Sequence, residues 1–283
     1  LGLALALGDA LTPAAELDRA RAAIVVTLVR AQLPAAALAA VAFHLPTGWL
    51  AAGLAAPWLL VAGLISLLGL LRFHARRHEL RAWAGVRASL DRSAVDIGLV
   101  YLAVGGAWLL AANLGMQPLG FHEPLVTLTA SHFHFAGFAA PVITGLTGHA
   151  LARRGAGPGA RRLFRAAAIL VIPGPIIVAI GITASPLVEV ISACVLAAAL
   201  AGVALLLVFA LAPATRPRLA GALLAIAGLS VLVTMALACL YAWGEYSGLA
   251  HIEIPQMIEL HGTSNALGFA ALGLLGFSLA DDA

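Results

Sequence analysis

Residues 187–212 read Leu187-Val-Glu-Val-Ile-Ser-Ala-Cys-Val-Leu-Ala-Ala-Ala-Leu-Ala-Gly-Val-Ala-Leu-Leu-Leu-Val-Phe-Ala-Leu-Ala212, an almost unbroken apolar run. A helix needs about 20 such residues to cross roughly 30 Å of hydrocarbon. The same pattern recurs at 23–43, 49–72, 94–114, 125–148, 166–185, 219–243 and 256–280, which makes eight candidate spans. With 62% apolar and 10% charged residues and a mean hydropathy of +1.02, the 283-residue chain has more apolar surface than a soluble domain can hide. The sequence therefore predicts an all-α, polytopic membrane bundle: 23–283 as one transmembrane domain, with 1–22 as an interfacial lead-in. Leu1 is followed by no basic stretch ahead of an apolar run, so a cleaved signal peptide is not expected.

All 16 basic residues are arginines, and they cluster in alternate connections. Arg19 and Arg21 precede the first span, six arginines from Arg72 to Arg92 follow the second, five from Arg153 to Arg165 follow the fourth, and Arg216 and Arg218 follow the sixth. The connections at His44–Gly48, Gly115–Pro124, Thr183–Pro186 and Gly244–Pro255 contain none. Basic loops stay on the cytoplasmic side, so both termini are expected in the cytoplasm of a bacterial multi-pass protein. On this reading the arginines set topology and do not bind nucleic acid, and the net charge of +3 is modest. Trp49, Trp108 and Trp243 fall near outer span ends, as an aromatic belt does. Cys194 and Cys239 lie in apolar runs, where thiols behave as small hydrophobes, so no disulfide or thiolate metal site is expected. Pro173 and Pro175 predict a kink in the fifth span.

This orientation sorts the histidines. His74, His78 and His149 fall on the cytoplasmic side, with the first two in a solvated basic loop, while His44, His122, His132, His134, His251 and His261 fall outside or in outer half-spans. His132 and His134 stand in the fourth span, where polar groups are costly and point to function. On an undistorted helix they diverge by about 200° and cannot share one metal. The eighth span reads Glu259-Leu-His261-Gly262-Thr263-Ser264-Asn265, with His261 and Asn265 on one face and Glu259 and Thr263 on the other. His132, His134, His261, Glu259 and Asn265 are the candidate catalytic residues, and His132, His134 and His261 are candidate metal ligands. Secondary candidates are Arg30, deep in the first span, and His122, Glu123, Thr263, Glu245 and Glu253. Asp96 lies near a span end, where it is expected to snorkel or cap a helix, and Gly137 and Gly262 are expected to admit a close neighbour. Gly-Phe-Ala recurs at Gly137-Phe138-Ala139 and Gly268-Phe269-Ala270, the fourth and eighth spans, which hints at a 4+4 repeat.

The segments His132-Phe-His134-Phe-Ala-Gly-Phe138 and His261-Gly262…Asn265…Gly268-Phe269 resemble the YndJ-like family of bacterial integral membrane proteins, from about the third span to the end. That resemblance implies a membrane protein and assigns no activity. Ser131-His132-Phe133-His134-Phe135 is also similar to an Ala-His-Phe-His-Tyr segment of haem–copper oxidase subunit I, which implies axial haem ligation by His132 and His134. The His-Pro-Glu-Val-Tyr segment and adjacent His-His pair that hold copper in that family have no counterpart here, nor do the clustered histidine boxes of di-iron desaturases.

Three function classes follow. The first is a membrane-embedded enzyme acting on a small apolar or amphipathic molecule, by acid–base isomerisation or cyclisation or by a metal- or haem-dependent redox step. There His132, His134 and His261 serve as base or ligands, Glu259 as acid and Asn265 as orienting amide. The others are a transporter or ligand-binding protein and a structural or cofactor-binding subunit of a membrane complex. Topology is tested directly: reporters fused after Gly120 and after Gly159 should report opposite sides of the membrane, and two reporters on one side end the eight-span arrangement.

Overall fold

The computed structural model describes residues 18–249 and 252–281, and among the described residues every regular element is helical. Residues 1–17 of the lead-in and His251 lie outside the described residues. The helices are α1 Asp18–Ala42, α2 Trp49–Ala75, α3 Trp83–Ala88, α4 Leu90–Asn113, α5 Leu125–Arg153, α6 Pro158–Val171, α7 Gly174–Ala184, α8 Pro186–Ala214, α9 Arg218–Ser247 and α10 Ile254–Leu279. Seven are long and apolar enough to cross a membrane, and α6 with α7 makes the eighth candidate, bent by 44°.

The bend falls where the sequence placed it. Pro173 and Pro175 supply no N–H and crowd the preceding turn, so α6 ends at Val171 and α7 restarts at Gly174. The start differs from expectation, because the helix begins at Pro158 and not near residue 166. Its first turns are amphipathic: Arg161 and Arg162 are exposed, while Phe164, Ala167, Ala168 and Val171 make a buried i, i+3, i+4, i+7 stripe. A scan for continuous apolar runs misses such turns.

Along α2, side chains sort by size more than by polarity. In α2 the buried positions are mostly small, Ala51, Ala52, Ala55, Ala62, Ser66 and Gly69, while Leu60 and Leu71 face outward. Leu33 at 75% exposure, Phe209 at 73% and Val233 at 62% show the same inversion on α1, α8 and α9. Surrounded by lipid tails, a leucine gains nothing by facing inward, so small residues take the interfaces and let backbones approach. In water such a surface would aggregate. Trp49 and Trp243 are exposed at 88% and 50%, as an interfacial belt requires, while Trp108 packs against Phe121.

The chain divides into two compact units, one running to His78 and resuming over Asp96–Phe138, the other comprising Glu79–Val95 and the chain from Ala139. In the first, α1 packs along α2, and Gly48, at the left-handed φ of 150°, donates its N–H to Asn113 O at 2.8 Å. In the second, α8 is central, contacting α6, α7 and α9, and α9 packs on α10. The fourth and eighth spans touch in this unit through their 140–153 and 272–279 segments, and a Cβ at Gly273 would fall 2.9 Å from Ile143 Cδ1.

Close helix approach makes a paired stability prediction. A Cβ at Gly69 would lie 2.6 Å from Asp96 O and 2.9 Å from Leu99 Cβ, whereas one at Gly63 meets nothing within 4 Å. Gly69→Ala should lower stability in detergent by about 1–3 kcal/mol through overpacking. Gly63→Ala should be neutral or stabilising by up to about 1 kcal/mol through helix propensity. Equal thermal midpoints for the two variants would refute this account of α2 packing.

Candidate functional site

Both polar spans depart from α-helical geometry at their polar residues. α5 is α-helical over Leu125–His132, π-helical over Phe133–Ala139 and α-helical again over Ala140–Arg153. Pro141 stands two residues beyond the π stretch, where its ring lacks the N–H that Gly137 O would accept and crowds that carbonyl, although Pro34 and Pro57 sit within unbroken α-helix. The same relation holds in α8, where the π-helical Leu206–Leu211 ends two residues before Pro213. In α10 two π stretches, Met257–Gly262 and Ser264–Ala271, frame Thr263, and no proline follows them within the helix. The undistorted helix assumed for His132 and His134 is thus corrected. His132 ends the α-helical segment and His134 lies within the wider turns, so the 200° divergence of an ideal helix does not apply to them.

His134 has both ring nitrogens engaged. Its Nε2 lies 2.8 Å from Trp58 Nε1 and its Nδ1 lies 2.7 Å from Ala130 O. An indole N–H can only donate and a carbonyl can only accept, so Nε2 accepts and Nδ1–H donates, which fixes the neutral Nδ1–H tautomer. The imidazole also stacks on Trp58, with centroids 5.7 Å apart and planes inclined by 25°. Gly105 makes room for it, since a Cβ there would fall 2.7 Å from Nδ1. His132 is partly buried and sits edge-on to Phe133, with centroids 5.4 Å apart. Gly137 admits Tyr101, whose Cβ would lie 3.1 Å from a Cβ at that position, so its expected role holds. Gly262 stands nearly in the open and marks no close approach.

His261 repeats the arrangement on another pair of helices. Its Nδ1–H donates to Thr234 O of α9 at 2.8 Å, and its Nε2 accepts from Asn265 Nδ2 at 3.1 Å. Thr234 Oγ1–H then donates to Asn265 Oδ1 at 2.9 Å, closing a ring of three hydrogen bonds among three residues. Thr234 is fully buried, Asn265 is 8% exposed and His261 is partly buried, so the Thr234–Asn265 bond does not depend on water. The i, i+4 pairing of His261 with Asn265 was legible in the sequence, but Thr234 was not. Glu259 and Thr263 lie on the exposed side of α10.

The secondary candidates scatter. Arg30 and His122 are both exposed. Glu123 caps α5, accepting from Thr127 N at 3.3 Å and Thr127 Oγ1 at 3.1 Å. Glu253 forms a capping box with Gln256 at the start of α10. Glu245 is exposed and close enough to Glu189 and Tyr241 to interact electrostatically, a grouping the sequence reading did not find. It also missed that Cys194 and Cys239 lie close enough to interact, because α8 and α9 run side by side. Asp96 does not snorkel: it is completely buried and ion-paired with Arg72 and Arg76. His74 bonds Arg77 on the exposed surface, in keeping with a solvated loop.

Metal ligation needs convergent lone pairs, and among the described residues no three of His, Cys, Asp and Glu converge to hold an ion. The acceptor nitrogens of His134 and His261 are already committed to Trp58 and Asn265. Neither ring can ligate haem or metal without releasing a buried N–H donor, at about 1–3 kcal/mol each. The closed ring is testable by a double-mutant cycle. Thr234→Val and Asn265→Leu should each cost about 1–3 kcal/mol by stranding a partner, with the double variant losing well under the sum. Additive losses in thermal unfolding would show that the three groups are not coupled.

The YndJ-like protein family matches residues 2–269 of this chain. The Bacillus subtilis membrane protein YndJ is 30% identical over 209 residues, which cover 74% of this chain and 37% of that relative. The chain thus spans little more than a third of the curated relative it matches. No solved structure matches it. A family match across nearly the whole chain, on helices built for lipid, makes this chain a member of the YndJ-like family of multi-pass membrane proteins.

Proposed function

We propose that this chain is a membrane module that binds a small apolar or amphipathic molecule without transforming it, and that His134 and His261 are hydrogen-bonded positioning groups. The observation that carries this reading is that each of the two histidines has both ring nitrogens committed, with Nδ1–H on a backbone carbonyl and Nε2 receiving a side-chain N–H. A general base needs a free lone pair within reach of its substrate, and a metal ligand needs the same lone pair directed at the ion. Binding asks only for fixed geometry. Support also comes from the π turns, which have poorer hydrogen-bond geometry than α turns and are frequent at functional sites. The apolar π stretch at Leu206–Leu211 shows that a π turn alone is no site, so the reading depends on the union of π turns with buried polar groups in α5 and α10.

An enzymatic reading has one observation in its favour: Glu259 and Thr263 stand together, exposed, one turn apart on α10. In that reading Glu259 is the acid, and Asn265 orients the substrate through His261.

The purified protein separates the two readings. On the binding reading it shows no Soret band and no stoichiometric metal, and imidazole nitrogen-15 spectra show the neutral Nδ1–H tautomer for His134 and His261. Native mass spectrometry then retains a small apolar or amphipathic adduct that is lost in Asn265→Ala and kept in Glu259→Gln. A metal or haem signal that disappears in His134→Ala or His261→Ala would overturn the proposal, as would an adduct chemically converted by the wild type and left unchanged by Glu259→Gln.

A further inference from the structure

At the Arg-rich ends of α2 and α4 a buried guanidinium is left, among the described residues, with unsatisfied donors. Asp96 of α4 is fully buried and is held by Arg72 Nε at 2.8 Å and by Arg76 Nη2. Two guanidiniums thus share one carboxylate. Arg76 is only 6% exposed, and among the described residues its Nε and Nη1 have no hydrogen-bond partner although both atoms are buried. Three N–H bonds of a permanently charged group therefore have no acceptor.

Neither the helix end nor bulk water provides a remedy. Arg76 caps the C-terminus of α2, where the helix dipole supplies about half a negative charge, which moderates the field but offers these N–H bonds no acceptor. Buried donors of a charged group are costly to leave unmade, and native proteins satisfy nearly all of them. Arg77, next in the chain, is exposed and bonds His74, so the arginines of this connection are not equivalent topology markers. Arginine presents its donors in a rigid fork that suits an oxyanion better than a lysine ammonium does. The last turn of a membrane span, where Arg72 and Arg76 sit, lies at the level of lipid headgroups, and basic pockets between spans at that level take phosphate.

We infer that Arg76, with Arg72 and Asp96 behind it, forms a binding site for a phosphate-bearing anion at the Arg-rich ends of α2 and α4. The site is separate from the histidine clusters and does not depend on the ligand-binding reading. A phospholipid headgroup and free phosphate offer the same oxygens, and the experiment distinguishes them.

The full chain is purified in a neutral detergent, stripped of lipid, and titrated separately with dioleoyl phosphatidylglycerol, dioleoyl phosphatidylcholine and sodium phosphate. Thermal midpoint and native mass spectra are read for each. Phosphatidylglycerol should raise the midpoint by about 5 °C near a hundredfold excess over its Kd and leave a retained one-lipid adduct. Phosphatidylcholine should shift it by less than about a fifth of that. A comparable shift from millimolar phosphate identifies a soluble anion as the occupant and keeps the site. Arg76→Met leaves Arg72 and Asp96 as a neutral pair and should weaken phosphatidylglycerol binding at least tenfold. Should that variant fail to fold, Arg76→Lys retains the charge beside Asp96 while deleting the unpartnered donors, and it should lose the shift too. Equal shifts from both lipids with none from phosphate overturn the inference, as does an undiminished phosphatidylglycerol shift in whichever variant folds.

Discussion

A polar group at hydrocarbon depth has only the protein to bond to, and the pairing of α5 with α2 in one unit and of α9 with α10 in the other follows from that constraint. Thr234, His261 and Asn265 close their hydrogen bonds on one another, and His134 closes its own on Trp58 and a backbone carbonyl. The bonds of His134 to Trp58, of His261 to Thr234 and of Thr234 to Asn265 tie one helix to another at a fixed height, which apolar packing alone does weakly, because lipid tails compete equally for a leucine. In the membrane these hydrogen bonds determine which faces meet, and the small residues determine how closely.

The same constraint explains the treatment of proline. In α6 and α7 a Pro-Gly-Pro sequence breaks the helix outright, whereas Pro141 and Pro213 each stand two residues beyond a widened turn. Widening keeps most backbone groups bonded within the helix, while breaking it frees several carbonyls at once. Single prolines stay within continuous helices, beside π turns in α5 and α8 and in plain α-helix at Pro34 and Pro57, and the doubled one does not.

Much of the fold was legible in the sequence, because hydropathy measures the transfer that inserts each span, and loop arginines and caps act locally. The eight apolar runs, the bend at Pro173 and Pro175 and the pairing of His261 with Asn265 all depend on residues near one another in the chain. Partnerships across helices were not legible. Trp58 looks like any interfacial aromatic until His134 is placed against it, and Thr234 is one hydroxyl in an apolar run. Arg76 and Arg77 are adjacent and chemically identical, yet one is buried on Asp96 and the other is exposed beside His74. An assumed period of 3.6 residues also hid the π turns, because Phe133–Ala139 carries no residue type that α-helices avoid. Candidate sites chosen by depth and residue type therefore fall on the polar clusters, while the bonds that close those clusters across helices leave no mark in the sequence.

A π stretch is in effect one residue inserted into a helix without a loop to hold it. An extra residue turns everything beyond it by about 100° relative to an unbroken α-helix. The two halves of α5, Leu125–His132 and Ala140–Arg153, therefore keep separate helical phases, and a stripe drawn along one does not continue along the other. In evolutionary terms the span behaves as two short helices sharing an axis. An insertion or deletion of one residue between His132 and Ala140 would swing one half's lining past its neighbours while leaving the apolar length almost unchanged, so comparison of α5 between relatives requires aligning the halves separately.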